Sequence, residues 1–183
     1  MKKITIKINF SFLFTSLLLL TAILFSFSAC SLKTVDVTLY FAKYTETDFY
    51  LKPETRKIIS DKNLYKKVLE ELVKGPQNKE LYPTLPSSTK INSVVVEDEL
   101  ATVDLGKEII TDNSEIPHSS TTEILAIYSI VNTLTEFEDI KRVKITIDGM
   151  ESGKIDGMNI EDFWGHVGIY EEFTRNEDII EKA

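Results

Sequence analysis

A two-layer α/β sandwich, with two helices on one face of a mixed sheet, is the fold this sequence predicts. Three observations predict it: apolar residues recur at helical spacing in two segments, alternate with polar residues in several others, and occupy a stretch long enough for one core. Helices with one apolar stripe and strands with one apolar face bury both most simply by stacking in two layers.

The elements follow in order. Val35, Val37, Leu39 and Phe41 alternate with Asp36, Thr38 and Tyr40, the period-two pattern of a strand with one buried face. Residues 42 to 60 mix aromatic and polar types around Pro53 and end in Arg56-Lys57-Ile58-Ile59, which predicts a loop or irregular edge hairpin with a second, weak strand. Between Asn63 and Lys74, Tyr65, Val68, Leu69, Leu72 and Val73 share one helical face, and Lys66, Lys67, Glu70 and Glu71 take the other. Gly75 and Pro76 stop that helix, since glycine enters the left-handed region and proline cannot continue a helix. A loop follows from Leu81 to Pro86, its path fixed by Pro83 and Pro86.

Ile91 to Val96 and Leu100 to Leu105 flank Glu97-Asp98-Glu99 closely enough to form an antiparallel hairpin, with Ala101, Val103 and Leu105 pointing inward. Ser120-Thr121-Thr122-Glu123 has capping-box spacing and predicts a helix start. The helix runs to about Leu134 with a stripe of Ile124, Ile127, Tyr128, Val131 and Leu134. After Phe137, the alternation of Val143, Ile145 and Ile147 predicts a strand closed by a turn at Asp148-Gly149. The last stretch carries Gly, Trp, Tyr and Phe with little periodicity.

Ahead of these elements, Lys2, Lys3 and Lys7 precede an almost unbroken apolar run from Phe10 to Phe27. A basic start, an apolar stretch and small residues make up an export signal. Phe27-Ser28-Ala29-Cys30 resembles a bacterial lipobox, in which the thiol is diacylated and becomes the mature N-terminus; Phe27 replaces the usual aliphatic residue. The alternative is an uncleaved anchor over Phe10 to Ala29, with the same topology. Both place the remaining chain at the cell membrane, on its extracytoplasmic face. Cys30 is the sole cysteine, so an intramolecular disulfide is excluded.

The whole chain carries 21 Lys and Arg against 29 Asp and Glu; without Lys2, Lys3 and Lys7, 18 basic groups remain and the net charge is -11. This acidic balance, with no long basic cluster, argues against nucleic acid as a partner. Catalytic chemistry is equally hard to assemble. A serine or cysteine nucleophile needs a base within reach, and the only histidines are His118 and His166, neither in a metal-ligating spacing. The pairs Glu70-Glu71 and Glu171-Glu172 are sequence neighbours, which point about 100° apart on a helix and suit a solvated surface better than acid–base work. Asp148-Gly149 and Asp156-Gly157 lack the alternating acidic ligands of a calcium loop and predict turns. No catalytic residue, metal ligand or cofactor site is therefore expected. Phe163, Trp164 and Tyr170 are left as either packing anchors for the last stretch or an aromatic platform for a ligand.

Three runs together resemble the GerMN domain: LVKGP at 72 to 76, TLPSSTKINSVVVEDELATVDLGKEI at 84 to 109, and SSTTEILAIYSIVNTLTEFEDIKRVKITIDG at 119 to 149. The resemblance continues into Gly165-His166-Val167 and Phe173-Thr174-Arg175-Asn176, and its most specific piece is Asn132 to Phe137. It implies a fold similar to the ring-building motifs of sporulation secretion complexes, and a non-catalytic role as a scaffold or assembly factor in sporulation, spore germination or envelope complexes. The domain organisation expected is a signal peptide over 1–29, a lipidated tether over 30–34, one GerMN domain over 35–178 and a tail over 179–183. Partners would be other exported or membrane proteins, with a ring or a homodimer both open. The second reading is a stand-alone surface module that binds peptidoglycan or a small ligand.

Overall fold

The computed structural model describes residues 33–182. Cys30, the signal segment and the start of the tether lie outside them.

Strand β1 (Thr34–Tyr44) pairs antiparallel with β2 (Phe49–Ile59) along its whole length, from Thr34 opposite Ile59 to Tyr44 opposite Phe49. The expectation of a loop with a weak strand over 42–60 is thereby corrected: β2 is as long as β1. Proline is tolerated because Pro53 faces Tyr40, whose N–H turns away from β2 and donates to Thr133 Oγ1 at 3.2 Å. A second reason concerns Arg56, a charged residue on the inward face and only 7% exposed. Its guanidinium lies over the Phe41 ring at 5.2 Å. It donates to Glu54 Oε1 and to the carbonyls of Glu71 and Gly75 at 3.0 and 2.6 Å. A cation thus occupies a core position by capping carbonyls at the end of the next helix.

That helix, α1 (Leu64–Val73), buries Val68, Leu69 and Leu72 and ends where Gly75 takes a φ of +79°. Strands β3 (Ile91–Glu97) and β4 (Leu100–Leu105) form the expected hairpin, with Ala101, Val103 and Leu105 fully buried. Asp98 and Glu99 both adopt positive φ, 49° and 62°, as a tight two-residue turn between twisted strands demands. A short helix that periodicity did not signal, α2 (Glu108–Thr111), buries Ile109 and Ile110.

Helix α3 (Ser120–Leu134) starts one residue earlier than expected. Ser119 is the cap: its hydroxyl accepts from the Thr122 N–H at 3.2 Å, and Thr122 Oγ1 accepts from the Ser119 N–H at 3.0 Å. Glu123 is released from the capping box. Strand β5 (Arg142–Ile147) lies parallel to β4, and the α3 crossover makes that possible. Beyond the Asp148-Gly149 turn come a minimal hairpin, β6 (Lys154–Ile155) and β7 (Met158–Asn159), turning at Asp156-Gly157, and β8 (Phe173–Thr174), antiparallel to β5.

The main sheet is mixed, in the order β3-β4-β5-β8, and β1–β2 is a separate ribbon. The two-helix α/β sandwich is the architecture observed. Helix α3 touches β1, β2, β5, β8 and α1, so burial spreads beyond the predicted stripe to Leu125, Ala126, Ser129, Ile130, Asn132 and Thr133. Among the described residues no helix is long and apolar enough to cross a membrane.

Candidate interaction surface

The buried polar groups of this fold are spent on holding its last third in place. Glu123 is fully buried in the first turn of α3, where the helix N-terminus favours a negative charge. Its carboxylate accepts the backbone N–H groups of His166, Val167 and Gly168 at 2.9, 3.0 and 2.8 Å. Asn132, also fully buried, reads the backbone of Asn176 in both directions: its amide donates to the carbonyl and its Oδ1 accepts from the N–H, each at 2.9 Å. Arg175 donates to the Asn132 carbonyl at 3.0 Å and to the Tyr40 hydroxyl at 2.8 Å, and it pairs with Glu136 at 2.8 Å. Burial and the hydrogen bond to Glu136 push the Tyr40 phenol up to about 12. Glu123 and Arg56 carry no local pattern that marks them, because each is explained only by partners far along the chain.

The aromatic residues divide. Phe163 and Trp164 are 4% and 7% exposed and pack into the core cluster. The Trp164 indole N–H donates to the Ile109 carbonyl at 2.7 Å. Phe163 holds a φ of +51°, a conformation a bulky residue adopts only where packing compels it. Tyr170 is 66% exposed, and its hydroxyl donates to Asp162. The three rings do not share one face open to a ligand.

His118 lies flat on Trp164, with ring centroids 4.5 Å apart and planes 7° apart, and its Nε2 is buried without a partner. His166 contributes its backbone to the Glu123 clamp. Among the described residues no group of histidine and carboxylate side chains is arranged to hold a metal ion. Burial pushes the His118 imidazole below its ordinary value, against a hydrogen bond to the Asp112 backbone. The unfolded chain therefore binds this proton more tightly, so the stability His118 contributes is complete above its unfolded value of about 6.5 and is lost as pH falls through the lower folded value. Titration of the ring by NMR should give a midpoint below 6.5, and His118→Gln should flatten part of the loss of stability between neutral and mildly acid pH. A midpoint at or above 6.5 would contradict this burial.

Neighbouring carboxylates do not share a cation. Glu70 lies 3.8 Å from Lys66, and Glu71 pairs with Lys74 at 2.5 Å and with Arg56 at 3.3 Å. Glu172 pairs with Arg142 at 2.5 Å.

A surface that remains unspent among the described residues is the β3 edge. Among the described residues β3 has β4 on one side and no strand on the other. A two-residue turn makes Glu97 and Leu100 the closing hydrogen-bonded pair, so the N–H and C=O groups of Val96 and Val94 point away from β4. No described residue bonds them. A groove of about 460 Å³ runs between this strand and α1, with Lys62, Lys66 and Lys67 on one wall and Asn92 and Val94 on the other.

Comparison with known proteins supplies a family. The family model of the Germane domain, described as sporulation and spore germination, matches residues 38–153. No curated protein matches the chain. Among solved structures, the tandem GerMN domains of the sporulation protein GerM from Bacillus subtilis share 23% identity at a TM-score of 0.60, over 82% of this chain and 48% of that one. This chain therefore spans about half the length of the tandem protein. The first GerMN domain of the same Bacillus subtilis protein shares 24% identity at a TM-score of 0.52, over 70% of this chain and 96% of that one. Both likenesses are of fold. With its model spanning well over half of the sequence, from within β1 to the turn before β6, the chain belongs to the Germane family of sporulation and spore germination domains.

Proposed function

We propose that this chain is a non-catalytic scaffold or assembly domain of a sporulation, germination or envelope complex, held at the extracytoplasmic face of the cell membrane by acylation of Cys30. The observation that carries the reading is the uncovered β3 edge. A strand edge on which the amides and carbonyls of Val94 and Val96 are free is a template for another chain, and a domain that functions alone ordinarily blunts such an edge. The polar groups that could have built a ligand site, Glu123, Asn132 and Arg175, are consumed inside the fold. Phe163 and Trp164 are consumed in packing.

In-cell cross-linking of the tagged protein during growth and during starvation tests this. The expected result is recovery of exported or membrane proteins of one complex from the membrane fraction, lost on Cys30→Ser while the domain stays folded. Recovery of the protein alone, or full function without membrane attachment, would overturn the scaffold reading.

A further inference from the structure

We propose that the β3 edge and the adjoining groove take up an extended acidic segment of a partner protein as an added strand, with the acidic residues against Lys62 and the lysines of α1. This rests on the scaffold reading and names the chemistry of the partner it requires.

Three features of the molecule converge on that occupant. The first is geometry. Val94 and Val96 offer two outward N–H and C=O pairs at the repeat of a strand, and the run Val94-Val95-Val96 is β-branched throughout, with Val95 half exposed on the solvent face. The second is what the edge lacks. It has no proline and no charged side chain on its inward face, the devices that repel strand addition, and its one irregularity, between Ile91 and Ser93, lies at the far end from the turn.

The third is charge. The chain as a whole has a net charge of -8, yet this groove is walled by three lysines against the single carboxylate of Glu70. Lys62 makes no ion pair among the described residues, and Lys66 touches Glu70 only at 3.8 Å while its ammonium donates to the Asn92 carbonyl at 3.3 Å. Lys67 is held by Asp61 at 2.5 Å. Lys66 thus bridges the helix to the strand at the mouth of the groove. At the other end of β3, Glu97, Asp98 and Glu99 reverse the sign. The edge is therefore polar along its length, and an incoming strand aligns with its acidic end beside Asn92 and its neutral or basic end beside the turn.

The test uses the full-length protein in detergent micelles and two ten-residue probe peptides in which Val alternates with a polar residue, Glu in one half and Thr in the other for the first peptide, and Lys in place of Glu for the second. The expected result is binding of the Glu peptide that weakens with added salt, with amide exchange at Val94 and Val96 slowed at least tenfold and exchange at the β4-facing amides unchanged. The double variant Lys62→Glu with Lys66→Glu, at an exposed and a half-buried position, should lose at least tenfold in affinity while its circular dichroism stays that of the parent. Equal binding of both peptides, no binding, or no protection at Val94 and Val96 would overturn the proposal. So would light scattering that shows a dimer broken by the double variant, since the occupant would then be a second copy. In cells the two readings separate. An unchanged set of cross-linked partners with the double variant removes this docking mode and leaves the scaffold standing; no partner for the parent protein removes the scaffold itself.

Discussion

Glu123→Ala should destabilise the domain by about 4 kcal/mol, because three backbone N–H groups would lose their shared charged acceptor. A carboxylate that is fully buried is tolerable only when hydrogen bonds replace its hydration, and here the first turn of α3 adds a favourable field. Glu123→Gln is the sharper experiment. Its amide oxygen can still accept from Val167 and Gly168, but its NH₂ group would face the His166 N–H, donor against donor. About 2 kcal/mol should be lost, with exchange at His166 rising most. Denaturant unfolding gives the energies, and amide exchange at 166–168 gives the location. A loss below about 1 kcal/mol for the alanine variant would mean that the clamp is not what fastens this loop.

Trp164→Ala should cost about 4 kcal/mol, in the range measured when a buried aromatic is removed from a core. Two contributions can be separated. The indole contacts Phe163 at a centroid distance of 5.2 Å and His118 at 4.5 Å, and its N–H satisfies the Ile109 carbonyl on α2. Trp164→Phe keeps a ring and loses the donor, so it should cost about 1 to 2 kcal/mol by leaving that carbonyl unpaired. Because Trp164 is the only tryptophan, its emission reports the same event: blue-shifted in the folded protein and moving red with the same midpoint as circular dichroism. Wild-type stability in the alanine variant would move Trp164 from packing to some other role.

Both residues show where single-sequence reasoning stops. Elements with local causes were legible: the α1 stripe with its Gly75 stop, the hairpin with Ala101, Val103 and Leu105 inward, and the alternating strand β5. β2 was half legible. Arg56 stands where an alternating pattern calls for an apolar side chain, and the partners that make it acceptable lie at Phe41, Glu71 and Gly75. The capping box was read one residue late because Ser119 and Ser120 are equivalent by composition; what distinguishes them is that Glu123 is claimed by a loop more than 40 residues away. The Asn132 run was singled out by resemblance, but its bidentate grip on Asn176 is a fact of three dimensions. Nothing periodic announces a segment fastened by such long-range polar contacts. The β3 edge presents the opposite case: the strand was evident in the sequence, but its lack of a neighbour follows from the sheet order alone.

The second edge of β2 bears on time rather than on energy. The outward N–H and C=O of Leu51 in β2 do not face solvent: the N–H donates to the Ile179 carbonyl at 2.7 Å, and the carbonyl accepts from the Glu181 N–H at 2.9 Å. These partners lie roughly 130 positions apart, a long loop to close before the contact gives anything back. As the chain emerges, β2 is complete about 120 residues before positions 179–181, so its second edge has no partner until they arrive. During that interval Leu51 exposes an unpaired edge just as β3 does. A chaperone or partner that covers strand edges would act on both, but Leu51 is sealed by the chain itself and β3 is not.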